Sequence, residues 1–291
     1  MSQDTRSLEP VESVAAVRAR VAAAHAAGRT VGFIPTMGAL HQGHGRLIER
    51  CSAETDLVVV SIFVNPTQFG PSEDLASYPR TLQSDLQTCA AAGASLVFTP
   101  TEATIYPRGR GATFVEVPGL SDVLEGAVRP GHFRGVATVV LALLEIVRPD
   151  KVVFGQKDYQ QQVLIRRMLE DLHVPVEMLV VPTVRENDGL ACSSRNRYLD
   201  PAQRKAACVL FNSLEQARQA VAGGERDANV IRQILDHAIS LDALAKIDYA
   251  EVADADSLDS LVTIDPTRRA VALVAARFGS TRLIDNTLLS E

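Results

Sequence analysis

Two imidazoles, His41 and His44, stand in the run HQGH and are the first residues whose types and spacing could do chemistry. They lie in residues 32–47, GFIPTMGALHQGHGRL, where an apolar run at 30–34 suits a buried strand. Pro35, Gly38, Gly43 and Gly45 then interrupt the chain before an apolar helical pattern resumes. A strand, a glycine-rich loop and a helix in that order expose backbone N–H groups at a helix N-terminus, where unpaired donors and the helix dipole favour a phosphate. The HxGH spacing lets both rings face one ligand, and Gly43 keeps the backbone close enough for contact. The pattern is neither GxGxxG nor GxxxxGK[ST], and an ordinary turn with incidental histidines is the competing reading.

Three further groups have ligand-binding character. In FGQKDYQQQ, residues 154–162, a strand ends, Gly155 allows a close turn, and Lys157 and Asp158 open a helix. A lysine ammonium neutralises charge on a phosphate and a carboxylate accepts from ribose hydroxyls; a helix cap and a solvated ion pair are the alternatives. In PTVRENDGLACSSRNRYL, residues 182–199, Ser193, Ser194 and Arg195 could hold an anion, against the alternative of a polar interdomain linker. Asn65, Gln68 and Gln161 are neutral amides, suited to hydroxyls and to a carboxylate that must stay nucleophilic. Turn chemistry for Asn65 and solvent exposure for the glutamines compete with that reading.

The elements that must position these groups follow from periodicity. Helices are predicted at 11–27, 44–54, 80–92, 136–148 and 159–171, and strands at 30–34, 57–63, 95–98, 151–154 and 176–181. Residues 99–134 read as irregular, with one short strand at 113–117. Alternating strands and helices predict an α/β fold, a doubly wound parallel sheet with helices on both faces and ligands beyond the C-terminal strand ends. Past Pro182 the alternation stops. Two helices at 201–222 and 226–241 and three strands at 247–252, 270–276 and 281–284 predict a smaller α+β C-terminal domain, with FGSTR as a hairpin. The boundaries are therefore 1–182 and 183–291, and the second domain's helices could close the site as a lid or serve a dimer interface.

The 291 residues are 46% hydrophobic and 22% charged, which excludes a disordered or fibrous chain. A net charge of −6 gives no general attraction to nucleic acid or anionic lipid. The polar start lacks a basic region and an apolar centre, and the longest apolar run is too short to span a bilayer, so a cytoplasmic protein is expected. The four cysteines lack CxxC spacing and read as reduced thiols.

The segments PTMGALHQGH, VSIFVNPTQF, YPRTLQSDL, VVFGQKDYQQ and VPTVREN with DGLACSSRNRYLDPAQR, spread over residues 31–200, resemble in sequence and order the pantothenate synthetase family. That family belongs to the HxGH nucleotidyl transferases and joins pantoate to β-alanine with ATP. The resemblance implies a Rossmann-like first domain, a homodimer, and Mg2+ accompanying ATP. It implies that residues 37–44, including Met37, Gly38, His41 and His44, line the ATP site, with His44 as proton donor. It further implies that Gly155, Lys157 and Asp158 bind ATP, that Val184 lies near adenine, and that Cys192, Ser193, Ser194 and Arg195 form a loop over the phosphates. Gln68 and Gln161 would bind pantoate beside Pro35 and Met37, Gln68 would also lie near β-alanine, and Asn65 would help to place β-alanine. The metal ligands stay unassigned, with Asp85 a weak candidate against the reading of a solvated surface charge.

Three residues depart from the family pattern: Cys192 replaces methionine, Gly45 a larger apolar residue, and Gln156 glutamate. An exposed thiol at Cys192 would be open to oxidation, and Gly45 would loosen the first turn of its helix. The implied reaction is acyl adenylation followed by aminolysis. A nucleotidyl transferase that leaves the nucleotide on its product and a non-catalytic nucleotide-binding module are the rivals.

Overall fold

The computed structural model describes residues 8–71 and 73–290. Contacts divide the chain into two compact units, residues 1–156 with 164–182 and residues 157–163 with 183–291. The segment 157–163 thus belongs with the second unit, although it precedes residue 182 in sequence.

In the first unit the chain runs β1 (Pro10–Val11), α1 (Val14–Ala26), β2 (Val31–Thr36), α2 (Gln42–Ser52), β3 (Leu57–Ile62), α3 (Leu82–Ala92), β4 (Leu96–Phe98), α4 (Glu102–Ile105), α5 (Glu125–Val128), α6 (His132–Val147) and β5 (Lys151–Gly155). It continues through α7 (Tyr159–Asp171) to β6 (Glu177–Val181). The six strands pair in the order β1-β4-β3-β2-β5-β6, every pair parallel. This is the doubly wound α/β arrangement, with β2 and β5 adjacent at the centre; the chain leaves β2 outward to β3 on one side and leaves β5 outward to β6 on the other. A crevice at the C-terminal ends of β2 and β5 follows from that reversal of strand order.

Ile34, Val58, Val60, Val97 and Val153 point from one sheet face into a cluster with Ile48 and Cys51 of α2 and Cys89 of α3. The alternating residues Phe33, Val59 and Phe98 are wholly buried on the other face, where α1 and α6 pack. Runs buried on both faces explain the unbroken apolar sequence of the central strands.

Several boundaries differ from expectation. Pro10 and Val11 add an edge strand to β4, a position that tolerates proline's missing N–H. Helix α2 begins at Gln42 rather than 44 because side chains satisfy its first amides. No strand forms at 113–117; the Val115 N–H there donates to Thr138 Oγ1 at 2.9 Å instead of to a neighbouring strand.

The second unit holds α8 (Pro201–Ala206), α9 (Val209–Ala222), α10 (Ala228–Ser240) and the antiparallel strands β7 (Ala245–Asp254), β8 (Ala270–Phe278) and β9 (Thr281–Leu288) in the order β7-β8-β9. The single helix expected at 201–222 is two, broken where the Cys208 N–H turns to Lys205 O at 3.3 Å in a tighter i to i+3 bond. Ala272, Val274, Ala276 and Phe278 of β8 form its core with Leu210, Leu214, Ile231 and Leu235 of the helices. No helix among the described residues is long and apolar enough to cross a membrane.

Candidate active site

The loop from β2 to α2 is organised by its own histidines. His41 is the N-cap of α2; its Nδ1 accepts the Gly43 N–H at 3.1 Å, and its own N–H donates to His44 Nδ1 at 3.3 Å. This is a capping box in which imidazoles take the usual places of serine and glutamate. A nitrogen that accepts an N–H carries no proton, so in the neutral rings the proton sits on Nε2 of both. The ring centroids are 4.2 Å apart, which sets two Nε2–H donors side by side at the positive end of a helix.

Behind the histidines the loop is strained and tied down. Gly38 has φ 81° and Ala39 φ 52°, left-handed conformations that only glycine adopts without cost. The Ala39 and Leu40 N–H groups donate to the two oxygens of Asp85 at 3.0 and 2.8 Å, and Thr81 Oγ1 donates to the same carboxylate at 3.1 Å. Asp85 lies in the first turn of α3 and is only 1% exposed. It is therefore a buried brace for the histidine loop, correcting its reading as a solvated surface charge. Its place in the YPRTLQSDL segment marked Asp85, but nothing in the local sequence showed that it would be buried against residues 39 and 40.

Pro35 is the next-to-last residue of β2 and Met37 and Gly38 follow its C-terminal end; Pro35 and Met37 are half-buried, and the parallel neighbour strand β5 ends at Gly155. On the other side of β2 the end of β3 leads to Asn65, the cap of a single 3-10 turn, Pro66–Gln68. Asn65 Oδ1 accepts from the Thr67 N–H, Thr67 Oγ1 and Tyr106 Oη, so its Nδ2 must face Gln68 Oε1, at 2.9 Å, and Gly135 O, at 3.1 Å. Both amide hydrogens of Asn65 are thus engaged inside the protein. The same logic fixes Gln68: with its oxygen turned to Asn65, the nitrogen end of its amide points away from that contact.

The backbone of Gln68 is held as firmly. Its carbonyl accepts from His132 Nδ1 at 2.8 Å and Arg129 Nη2 at 3.3 Å, while Arg129 forms a two-point pair with Glu73 at 2.7 and 2.6 Å. A carbonyl can only accept, so His132 carries its proton on Nδ1 and presents a bare Nε2 to Arg129 Nη1 at 3.1 Å. Burial, with the nearby Arg129 charge, pulls the His132 pKa down to about 4. Gly135 permits this packing, since a Cβ there would stand 2.3 Å from Thr67 O.

The remaining candidates belong to the second unit. Lys157 and Asp158 precede α7, with Nζ 3.5 Å from the Asp158 carboxylate. Asn286 Nδ2 donates to Lys157 O at 2.8 Å and Tyr159 Oη to Ala255 O at 3.0 Å, fastening the segment to its own unit. Gln161 lies half-buried in the first turn of α7.

Val184 and Cys192 are joined by a Cys192 N–H to Val184 O bond of 2.9 Å, which closes the intervening residues into a short turn. Glu186 accepts from Asn196 Nδ2 at 2.9 Å and from Arg204 Nη2 at 2.6 Å, clamping that turn to α8. Ser193 caps a 3-10 helix, Ser194–Tyr198, by accepting the Arg195 N–H at 3.3 Å, and Ser194 and Arg195 are half-buried there.

Two of the three departures resolve structurally. Cys192 is 8% exposed, and burial pushes its thiol pKa up, so the expected oxidation-prone surface thiol is a buried, protonated one. Helix α2 runs unbroken through Gly45, where an added Cβ would meet nothing within 4 Å. The Gln156 backbone N–H donates to Val181 O at 2.8 Å, a bond indifferent to its side chain. Among the described residues, no group of three or more histidine, cysteine or acidic side chains could form a metal cage.

The profile of the family described as pantoate-beta-alanine ligase matches residues 9–288, well beyond the motif-bearing stretch. The pantothenate synthetase of Moorella thermoacetica is 49% identical over 97% of this chain and 99% of its own length; that of Chloroflexus aggregans is 54% identical over 91% and 95%. Among solved structures, the pantothenate synthetase of Thermus thermophilus superposes with a TM-score of 0.90 at 43% identity, covering 98% of this chain and 100% of its own. The Francisella tularensis pantoate-beta-alanine ligase, solved in complex with beta-gamma ATP and beta-alanine, gives a TM-score of 0.78 at 33% identity over 97% of this chain and 98% of that one. With a histidine-capped helix at a strand end of a doubly wound sheet and likeness along nearly its whole length, this chain belongs to the pantoate-beta-alanine ligase family.

Proposed function

We propose that the protein condenses pantoate with β-alanine using ATP, giving pantothenate, AMP and pyrophosphate through a pantoyl adenylate. The reading is carried by the family match over residues 9–288 together with the paired Nε2–H donors of His41 and His44 at the start of α2. The pantoate carboxylate attacks the α-phosphorus, pyrophosphate leaves, and the β-alanine amine then displaces AMP at the acyl carbon. No covalent enzyme intermediate is required.

In this scheme the histidines donate to phosphate oxygens, with His44 the proton donor, and Lys157 and Arg195 supply positive charge as the bond to pyrophosphate breaks. Gly38, Gly155, Asp158, Val184, Cys192, Ser193 and Ser194 complete the nucleotide contacts. Gln68, with its oxygen committed to Asn65, turns N–H donors to pantoate, shared with Gln161 and the Pro35–Met37 strand end. Asn65 acts on β-alanine through Gln68, since its own donors are internal.

By the family resemblance, Mg2+ would accompany ATP as part of the substrate. There Mg2+ supplies charge neutralisation for the departing pyrophosphate. A cytoplasmic homodimer completes the proposal. His44→Ala or Lys157→Ala should lower pantoate-dependent ATP–pyrophosphate exchange by about a hundredfold to a thousandfold, roughly 3–4 kcal/mol of transition-state stabilisation, in a protein that still folds. Normal exchange in either variant, or a product that retains the nucleotide, would overturn this reading.

A further inference from the structure

Strand β9 carries two adjacent polar side chains, Asp285 and Asn286, that are 3% and 2% exposed. Burying a carboxylate and an amide side by side on a strand is costly unless both are fully paired, so their partners indicate what the burial maintains. Asn286 Nδ2 donates to the main-chain carbonyl of Lys157 at 2.8 Å. Asp285 accepts from both terminal nitrogens of Arg185, at 2.6 and 3.0 Å, in a two-point pair. Arg185 also donates to Gly189 O at 3.0 Å and to Asn286 O at 3.4 Å, and its guanidinium lies 4.7 Å from the Phe211 ring centroid. An isolated bridge joins Arg185 to Ala191, beside the Val184–Cys192 hydrogen bond.

The two residues therefore tie two segments far apart in sequence to one point on one strand. One segment carries Lys157 and Asp158; the other carries Val184 and leads into Cys192, Ser193, Ser194 and Arg195. We propose that Asp285 and Asn286 are positioning residues for the nucleotide: Asn286 sets the Lys157 backbone, and Asp285, through Arg185, sets the turn that presents residues 192–195. This rests on the assignment of those two segments to ATP under the proposed function. Because both anchors share one strand, a displacement of β9 at this point moves both nucleotide-binding segments together.

The assignment is tested by equilibrium ATP binding to Asn286→Ala in two backgrounds, the parent protein and Lys157→Ala. Asn286→Asp, which keeps the volume and removes the donor, carries the same test should the alanine variant not fold. Acting through Lys157, the substitution should weaken ATP binding at least tenfold in the parent and less than about twofold in the Lys157→Ala background, with the KM for pantoate unchanged. Asp285→Asn should likewise weaken ATP binding and, in the absence of ATP, speed tryptic cleavage after Arg195 and Arg197, because the Arg185 pair that holds their turn is lost. Equal losses in both Lys157 backgrounds, parental ATP affinity in the Asn286 and Asp285 variants, or equal increases in the KM values for ATP and pantoate overturn the positioning role. Parental ATP affinity and exchange in Lys157→Ala alone overturn instead the nucleotide reading on which it rests.

Discussion

Replacing Asp85 by asparagine should disable the histidine loop while leaving the first unit folded. Asp85 Oδ1 takes the Leu40 N–H at 2.8 Å and the Thr81 hydroxyl at 3.1 Å, and Oδ2 takes the Ala39 N–H at 3.0 Å. Asparagine has the same shape but one acceptor oxygen. If that oxygen serves Leu40 and Thr81, an NH2 group meets the Ala39 N–H, donor against donor. One hydrogen bond to a charged acceptor is lost, about 1.5–3 kcal/mol, and the survivors weaken because their acceptor is now neutral. Ala39 is held at φ 52°, a conformation costing an L-residue roughly 1–2 kcal/mol that persists only while its surroundings enforce it. The lost bond and the stored strain are of similar size, so residues 38–40 should relax and carry His41 with them. Urea unfolding should show a loss of about 2–3 kcal/mol. Because a displacement of about 1 Å at a reacting group can cost a hundredfold, pantoate-dependent ATP–pyrophosphate exchange should fall by roughly tenfold to a hundredfold. A variant with lowered stability and parental exchange would refute the reasoning, since the carboxylate would then hold the fold and not the reactive geometry.

Two further outcomes follow from the same unit. His132 titrates near 4 when folded and at its ordinary 6.5 when unfolded, so between these values the unfolded chain holds the extra proton. Stability should be complete above pH 6.5 and fall by up to about 3 kcal/mol as pH drops to 4, a dependence flattened in His132→Asn; parallel urea midpoints for the two proteins from pH 7 to 4 would contradict it. Gly45→Ala fills open space inside a regular helix and should raise stability by about 0.5–1 kcal/mol, with an unchanged or lower urea midpoint counting against it.

The parallel sheet was legible because its strands are buried on both faces and so read as continuous apolar runs at 57–60 and 152–154. The edge strand Pro10–Val11 was not, since two residues have no periodicity and proline argues against a strand. The apolar pattern across 201–222 likewise concealed the break after Ala206, because α8 and α9 both contribute to the same core and periodicity records which face is buried, not where the backbone tightens. The segment 157–163 shows the limit most clearly. Its sequence continues the strand-helix alternation of the first unit, yet its contacts belong to the second.

The histidines and the lysine-aspartate pair were visible because each follows a strand in a short, glycine-marked loop, which leaves a local signature, and the serine-arginine run was visible as a cluster of hydroxyls and guanidinium groups. The groups that hold them leave none. Asp85 acts on Ala39 across 46 residues, Tyr106 on Asn65 across 41, Asp285 on Arg185 across 100 and Asn286 on Lys157 across 129. Each is an ordinary polar residue whose meaning depends on being buried, and burial is a property of the folded chain rather than of its neighbours in sequence. Three ambiguous groups are settled by their hydrogen-bond partners. Backbone N–H donors fix the tautomers of His41 and His44, and Asn65, itself oriented by Thr67 and Tyr106, turns the amide of Gln68. The histidine loop therefore fixes its own tautomers, while the Gln68 amide is turned by Asn65, which Tyr106 orients from far off in sequence. A substitution at Tyr106, which lies outside every segment that carries the resemblance, should therefore still change how the Gln68 amide is presented.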